Sequence, residues 1–247
     1  TRQYVEIAQR DREALLARVD EALASGTSGE SVDATNATVW VNRSLGDISD
    51  FTLPNNSTYI NYCGPGSIRV AIDAIFPTSS LPSIDDIAYW INSYPEGWTG
   101  PDGVFRKHFD PTYGTSAHGM CKFLGEFFHF QFGYRYMFAP QSSATAVVLW
   151  QRVGPHIDRN YAIVTATYTG KLYGWGTRNV AHIVPVVGYQ AYVTNAIYYD
   201  MRSIRYAETS APAAGYNGPP KVWWTPLTFW EGVNDNNAQC ILDPSVY

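Results

Sequence analysis

The interpretation of this chain starts from one stretch, Asn61-Tyr62-Cys63-Gly64-Pro65-Gly66-Ser67. It is followed by an apolar pattern with helical spacing, at Ile68, Ala71, Ile72 and Ile75. Pro65 indicates that a helix begins close to Cys63, because proline is favoured at the first helical position, where its missing N–H group needs no partner. A helix N-terminus favours the thiolate, which is the nucleophilic form of cysteine. Cys63 is therefore a candidate nucleophile; the alternative is a small buried cysteine that caps a core helix.

Length and charge restrict the class of protein. The 247 residues suffice for one sizeable core, alone or with a small appendage. A formal net charge of −5 without any basic block argues against nucleic-acid binding. No apolar run reaches the length of a membrane span, so we expect no membrane association. The sequence starts at Thr1 without a signal-type apolar segment, which favours a processed or trimmed product whose export signal is not visible.

The chain has three cysteines, Cys63, Cys121 and Cys240, so pairing two of them leaves one free thiol. If Cys63 is a nucleophile, Cys121 and Cys240 are expected to form a disulfide in an oxidising compartment. A secreted or cell-surface location follows from that expectation. Three reduced thiols in the cytosol are the alternative.

The N-terminal region differs from the remainder of the chain. Residues 1–25 have the apolar spacing of an amphipathic helix, and the small polar residues 26–35 indicate a linker. We therefore divide the chain into an N-terminal helix and linker, residues 1–36, and a main domain, residues 37–247. The helix is interpreted either as a brace packed on the domain or as the remnant of a pro-segment.

The main domain is expected to belong to the α+β class, with a helical first half packed on an antiparallel β-sheet. Residues 94–115 are rich in Gly, Pro and Asp and are predicted to form a long surface loop. The predicted helices are the one that follows Cys63 and those at 84–92, 116–128, 143–158 and 225–230. Ser83, with Asp86 three residues on, is the predicted cap of the helix at 84–92. The predicted strands are 39–41, 130–137, 162–168, 182–189 and 196–200.

Two polar residues of the second half complete a catalytic pattern with Cys63. His182 begins one predicted strand and Asp200 ends the next, and an antiparallel hairpin with its turn between residues 189 and 196 would bring them together. A thiolate, an imidazole that shares its proton, and a third polar group that orients the ring are the elements of cysteine-based acyl transfer. His118 and Cys121 have only a suggestive spacing for a metal, so no metal site is expected.

Three segments resemble papain-like cysteine peptidases, and most closely the bacteriocin-processing-peptidase-like family. They are Tyr62–Ser67, Ala181–Tyr189 and Ile197–Asp200, and the stretch from Leu149 to Val164 is similar to secreted actinobacterial members. The similarity covers roughly residues 50–235. It implies a papain-like fold, a Cys63–His182–Asp200 triad, a peptide or protein substrate cleaved at an amide bond, and no cofactor. We expect a monomer.

One departure from the family pattern concerns the oxyanion site. Papain-like enzymes place a Gln about six residues before the cysteine, and here Ser57 stands at that position. Asn56 is our candidate for the missing donor, beside the Cys63 backbone N–H. Tyr62, Gly64 and Trp175 are the candidate substrate-binding residues. Acyl transfer to an amine, and a peptide-binding module that has lost turnover, stay open as alternatives.

Overall fold

The computed structural model describes residues 38–45, 50–74, 81–99, 102–132, 135–138, 146–194, 198–236 and 238–243. The predicted N-terminal helix, its linker and the proposed boundary at residue 36 lie outside the described residues. Within them the fold is mixed, with five α-helices and a curled antiparallel sheet, which confirms the α+β class. No helix in these ranges is long and apolar enough to cross a bilayer.

The described residues form five α-helices, a main sheet and two small hairpins. The helices are α1 (Cys63–Asp73), α2 (Ile84–Ile91), α3 (Ala117–Phe132), α4 (Ala146–Asp158) and α5 (Pro226–Asn236). The strands of the main sheet are β1 (Thr38–Ser44), β6 (Arg135–Phe138), β7 (Ile163–Tyr168), β8 (Ala181–Thr194), β9 (Tyr198–Ala207), β10 (Lys221–Trp224) and β11 (Ala238–Asp243). Four short strands form two small hairpins, β2 (Gly97–Thr99) with β3 (Phe105–Lys107), and β4 (Phe109–Asp110) with β5 (Gly114–Thr115).

The main sheet is organised around the long strand β8. Its order is β10-β9-β8-β7-β11-β6, and all described pairs are antiparallel. The first part of β8 pairs with β7, and the part from Gly188 to Thr194 pairs with β1. Strand β1 thus comes from the first half of the chain, so the predicted separation of helices from strands holds only in part.

Helix α1 is the central helix of the core, and it packs against β8. Ile68, Ala71 and Ile72 of its apolar face are at most 1% exposed. The next helix, α2, begins with a capping box in which the Ser83 hydroxyl accepts from the Asp86 N–H at 3.0 Å, as the sequence predicts. Local patterns therefore specify both helix starts.

Residues 94–115 are more ordered than a surface loop. They contain the two small hairpins, and the turn that joins β4 to β5 is tied to the start of α1 by Asn61. Asn61 Nδ2 donates to the carbonyl oxygens of Pro111 and Thr112, each at 2.9 Å. These contacts fix the β4–β5 turn beside Cys63, which makes it part of the candidate site.

A partly buried polar network holds the far end of β8. The phenol groups of Tyr189 and Tyr199 donate to the Asp158 carboxylate at 2.8 and 2.7 Å. Arg43 of β1 forms an ion pair with the same carboxylate, at 3.4 Å. Burial and the negative charge of Asp158 raise the pKa of both tyrosines, which therefore stay protonated as donors. The network joins α4, β1, β8 and β9.

Candidate active site

Cys63 lies at the first residue of α1, where the sequence predicts it, and it is a free thiol that is 9% exposed. One turn further along, the Ser67 hydroxyl donates to the carbonyl oxygen of Ile183 at 2.9 Å, and both residues are buried. Because Ile183 follows His182 on β8, this hydrogen bond fixes the nucleophile helix against the histidine strand.

Two glycines allow other segments to approach the first turn of α1. A Cβ atom on Gly64 would lie 2.2 Å from Thr115 Oγ1, and one on Gly66 would lie 2.9 Å from Thr209 Oγ1. Real Cβ atoms do not come this close, so either substitution would push the helix away from its neighbours. The glycines thus permit the contact of α1 with the β4–β5 turn on one side and with the segment after β9 on the other.

His182 is bonded to a buried glutamate that sequence reasoning missed. Its Nε2 lies 2.8 Å from Glu208 Oε1, and the side chains are 4% and 0% exposed. The Cys63 thiol interacts with the imidazole as well and contributes to raising the pKa of His182. Since Nε2 is engaged by Glu208, the nitrogen that serves Cys63 is Nδ1. The three side chains therefore form a continuous Cys63–His182–Glu208 array.

The electrostatics of the array favour a protonated imidazole. Burial lowers the pKa of His182, but the charge and hydrogen bond of Glu208, together with its interactions with Cys63, outweigh burial and raise it to about 10. Burial raises the pKa of Glu208, whereas the charge of His182 and its hydrogen bonds lower it overall. The array is thus suited to hold an imidazolium between a carboxylate and the cysteine.

The Glu208 carboxylate is held by three donors. Besides His182, it accepts from the Ser210 backbone N–H and from Trp175 Nε1, each at 3.0 Å. The Trp175 ring also packs edge-on against the imidazole, with centroids 4.9 Å apart. Trp175 is 5% exposed and does not border the cleft described below, so the expectation that it binds substrate is not met. It positions the histidine and the glutamate instead.

Asp200 lies far from His182, so the prediction that it is the third member of the triad is wrong. Asp200 pairs in register with Tyr192, ten residues along β8 from His182, or about 30 Å at the rise of an extended strand. It forms an exposed ion pair with Arg202. The hairpin is longer than predicted, because β8 continues to Thr194 and β9 to Ala207. The chain therefore comes back beside His182 just after the end of β9, which is where Glu208 lies.

Asn56 does not reach the nucleophile either. It is exposed and caps a short 3₁₀ turn, Ser57–Tyr59, by accepting a hydrogen bond from the Thr58 N–H at 3.0 Å. Asn61 does border the cleft, but its amide donates to the β4–β5 turn as described above. The oxyanion donor expected at Asn56 is therefore supplied by neither asparagine.

The two remaining candidates for substrate contact have structural roles near Cys63. Tyr62 is buried and packs edge-on against Tyr59 and Phe109, with centroids 4.9 and 4.6 Å apart. Gly64 is buried against Thr115. Neither borders the cleft, so the expectation that they contact substrate is not supported by their positions.

A cleft of about 140 Å³ opens beside the thiol and the imidazole. It is bordered by Asn61, Cys63, Tyr113, Gly114, Thr115, Ala117, Ala166, Ala181, His182 and Ile183. Sequence reasoning missed Tyr113 and Thr115, which lie in the segment predicted as a loop. Thr115 Oγ1 is buried and has no hydrogen-bond partner within the described part of the chain. The pairing of Gly114-Thr115 with Phe109-Asp110 carries both residues to the cleft.

Cys121 and His108 take no part in the array. Cys121 is disulfide-bonded, as predicted, while the side chain of its predicted partner Cys240 lies outside the described residues. His108 is buried, with Nδ1 2.8 Å from the Ser116 hydroxyl. Among the described residues, no three His, Cys, Asp or Glu side chains gather as a metal site would require.

The arrangement has the parts needed for nucleophilic acyl transfer. Cys63 provides the sulfur, His182 can exchange a proton with it, and Glu208 fixes the ring nitrogen that faces away. The first backbone N–H groups of α1 have no carbonyl acceptor within the helix and point toward its N-terminal end, where Cys63 lies.

In comparisons with known proteins, neither a family model nor a curated protein matches this chain.

Proposed function

We propose that this protein is a papain-like cysteine peptidase or amidase that cleaves a peptide or related amide through a Cys63 thioester. The observation that carries the proposal is the buried Cys63–His182–Glu208 array beside an open cleft. A structural cysteine would not require an imidazole bonded to a fully engaged carboxylate. The order of the three residues, with the cysteine at a helix start and the histidine on a strand, agrees with the resemblance of the motifs.

The reaction proceeds in two halves. The Cys63 sulfur attacks the carbonyl carbon of the amide, and His182 gives its proton to the departing amine, which leaves a thioester on Cys63. His182 then takes a proton from water, the hydroxide oxygen attacks the thioester carbon, and the thiolate is released with the carboxylic acid. Glu208 stays ionised and holds the ring throughout.

The oxyanion of each tetrahedral intermediate requires donors. The Cys63 backbone N–H at the start of α1 is one. For the other, the Thr115 hydroxyl takes the place expected for Asn56, because it lies against Gly64 and has no partner within the described residues. The disulfide at Cys121 supports a secreted or cell-surface location, since disulfides persist in oxidising compartments.

The proposal is tested by incubating the protein with a defined peptide library and identifying new termini by mass spectrometry. We expect cleavage by the wild type and none by Cys63→Ala, whose smaller side chain preserves the fold. Adding a primary amine separates hydrolysis from acyl transfer, because a transferase gives amide products in preference to acids. A wild type that binds peptides without forming either product would favour the binding module and contradict the proposal.

A further inference from the structure

The side chain of Tyr113 is held at the cleft although it is largely in solvent. It is 58% exposed and borders the same cleft as Cys63 and His182. The guanidinium of Arg106 covers one face of its ring, with Cζ 3.7 Å from the ring centroid. The other face is not needed for the packing of the core, so folding alone does not explain why this aromatic side chain is fixed beside a nucleophile.

Arg106 is itself fixed from several directions. It is 8% exposed, and it donates to Asp102 Oδ1 at 2.8 Å and to the Val104 carbonyl at 3.1 Å. The ring of Trp98 lies on it as well, with Cζ 5.9 Å from the centroid. The position of the Tyr113 ring is therefore set before any substrate arrives, which lowers the entropy cost of binding to it.

The charge of Arg106 does not make this an anion site. Its second nitrogen also bonds Asp102, so the pair is bidentate and neutral overall. The hydrogen bonds from Arg106 hold the pKa of Asp102 well below its usual range, so the pair stays ionised. Apart from His182 of the array itself, no charged side chain of the described residues borders the cleft. A neutral, apolar group is the occupant that this environment favours.

The size of the cleft defines the occupant further. Its volume is about 140 Å³, and small residues form much of its wall: Gly114, Ala117, Ala166 and Ala181. An apolar protein cavity of roughly 150 Å³ takes up benzene. The space beside Cys63 therefore fits one phenyl-sized group, with the free face of Tyr113 available for an offset or edge-on aromatic contact.

We propose that Tyr113 determines substrate specificity by stacking on a phenyl-sized apolar side chain adjacent to the scissile amide. This inference rests on the proposed function, because it assigns the cleft to the substrate of Cys63. Arg106, Asp102 and Trp98 act as positioning residues for the ring. The substrates so selected are peptides or amides that carry an aromatic or large aliphatic group at the bond that is cleaved.

The experiment compares two alkylating agents at Cys63, iodoacetamide and N-benzyl iodoacetamide. In both, the sulfur forms a bond to carbon as iodide leaves, so the intrinsic chemistry is the same, and each rate is divided by the rate with glutathione. We expect the wild type to prefer the benzyl reagent by roughly three- to tenfold, the range of a single aromatic contact. Tyr113→Ala should remove the preference, which is the ratio of the two rates, while Tyr113→Phe should retain it.

Tyr89→Ala is the matched control, since Tyr89 is 74% exposed and does not border the cleft. It should keep the wild-type preference. Equal rates for the two reagents in the wild type, or a preference that survives Tyr113→Ala, would overturn the inference while the proposed function stands. A wild-type Cys63 that reacts with iodoacetamide no faster than His182→Ala does would overturn the proposed function, and the inference with it.

Discussion

Replacing Glu208 by Gln tests the most specific feature of the site. The amide keeps the size of the carboxylate but removes the charge that faces His182, and it cannot accept from His182, Ser210 and Trp175 together, as the carboxylate does. Breaking a buried ion pair by removing one partner costs about 3–5 kcal/mol. At 1.36 kcal/mol per tenfold, this corresponds to a loss of roughly 10²- to 5×10³-fold in the population of the imidazolium–thiolate pair.

The effect is measured as the rate of Cys63 alkylation by iodoacetamide at pH 5. An unassisted thiol reacts slowly at that pH, so the labelling rate reports how far the His182–Glu208 pair supports the Cys63 sulfur as a nucleophile. We expect Glu208→Gln to label at least 100-fold more slowly than the wild type. Asp200→Asn is the matched control and should label within about twofold of the wild type, because Asp200 is paired with Arg202. Equal rates for Glu208→Gln and the wild type, or a large loss in Asp200→Asn, would refute the reasoning.

Three further results are expected. The raised pKa of His182 makes its contribution to stability complete below about pH 6.5 and lost as the pH rises through about 10. The lowered pKa of Glu208 makes its contribution to stability present above about pH 4.5 and lost at lower pH. The difference in unfolding free energy between wild type and Glu208→Gln should therefore be largest between about pH 4.5 and 6.5 and shrink toward pH 10. A difference that stays constant with pH in denaturant titrations would contradict this. Thr115→Val should slow Cys63 acylation by p-nitrophenyl acetate about tenfold or more but leave iodoacetamide alkylation unchanged, because only acylation passes through an oxyanion. Equal changes in both rates would argue against the Thr115 hydroxyl as an oxyanion donor. Asp158→Ala removes the carboxylate that accepts from the phenols of Tyr189 and Tyr199, so it should cost about 3 kcal/mol and lower Tm by roughly 6–12 °C in calorimetry. An unchanged Tm would show that the network does not stabilise the fold.

Local patterns in the sequence correctly predicted the helices and strands whose first residues are marked by nearby side chains. The helix at Cys63, the capping box of Ser83 and Asp86, and the strand that carries His182 depend on residues a few positions apart, and the structure contains all three. The disulfide state of Cys121 agrees with the expectation that two of the three thiols pair and leave Cys63 free. What these signals have in common is that they require no knowledge of strand register.

The identity of the third member of the array, Glu208, depends on the register between β8 and β9. The sequence alone did not reveal that register. The apolar pattern predicts that the strand of His182 ends at residue 189, but β1 pairs with Gly188–Thr194 and extends the strand. Because a hairpin is symmetric about its turn, this extension moves the partner of His182 from Asp200 to the region of Glu208. Counting residues outward from a later turn would have found Glu208.

Tyr113 and Thr115 were missed for a related reason. Their segment is rich in Gly, Pro and Asp, which predicts a loop, whereas the hydrogen bonds of Asn61 to Pro111 and Thr112 hold it as a hairpin at the cleft. Those contacts join residues about fifty positions apart. Local propensity gives no signal for contacts of this kind.

The formation of a thioester on Cys63 is the central claim, and its most direct measurement is the intact mass of the protein after rapid mixing with p-nitrophenyl acetate and acid quenching. The account predicts a burst of one acetyl group per chain, located on the Cys63 peptide, absent in Cys63→Ala and slowed at least 100-fold in His182→Ala. Acetylation at other residues with Cys63 unmodified, or a burst that persists in Cys63→Ala, would contradict the account.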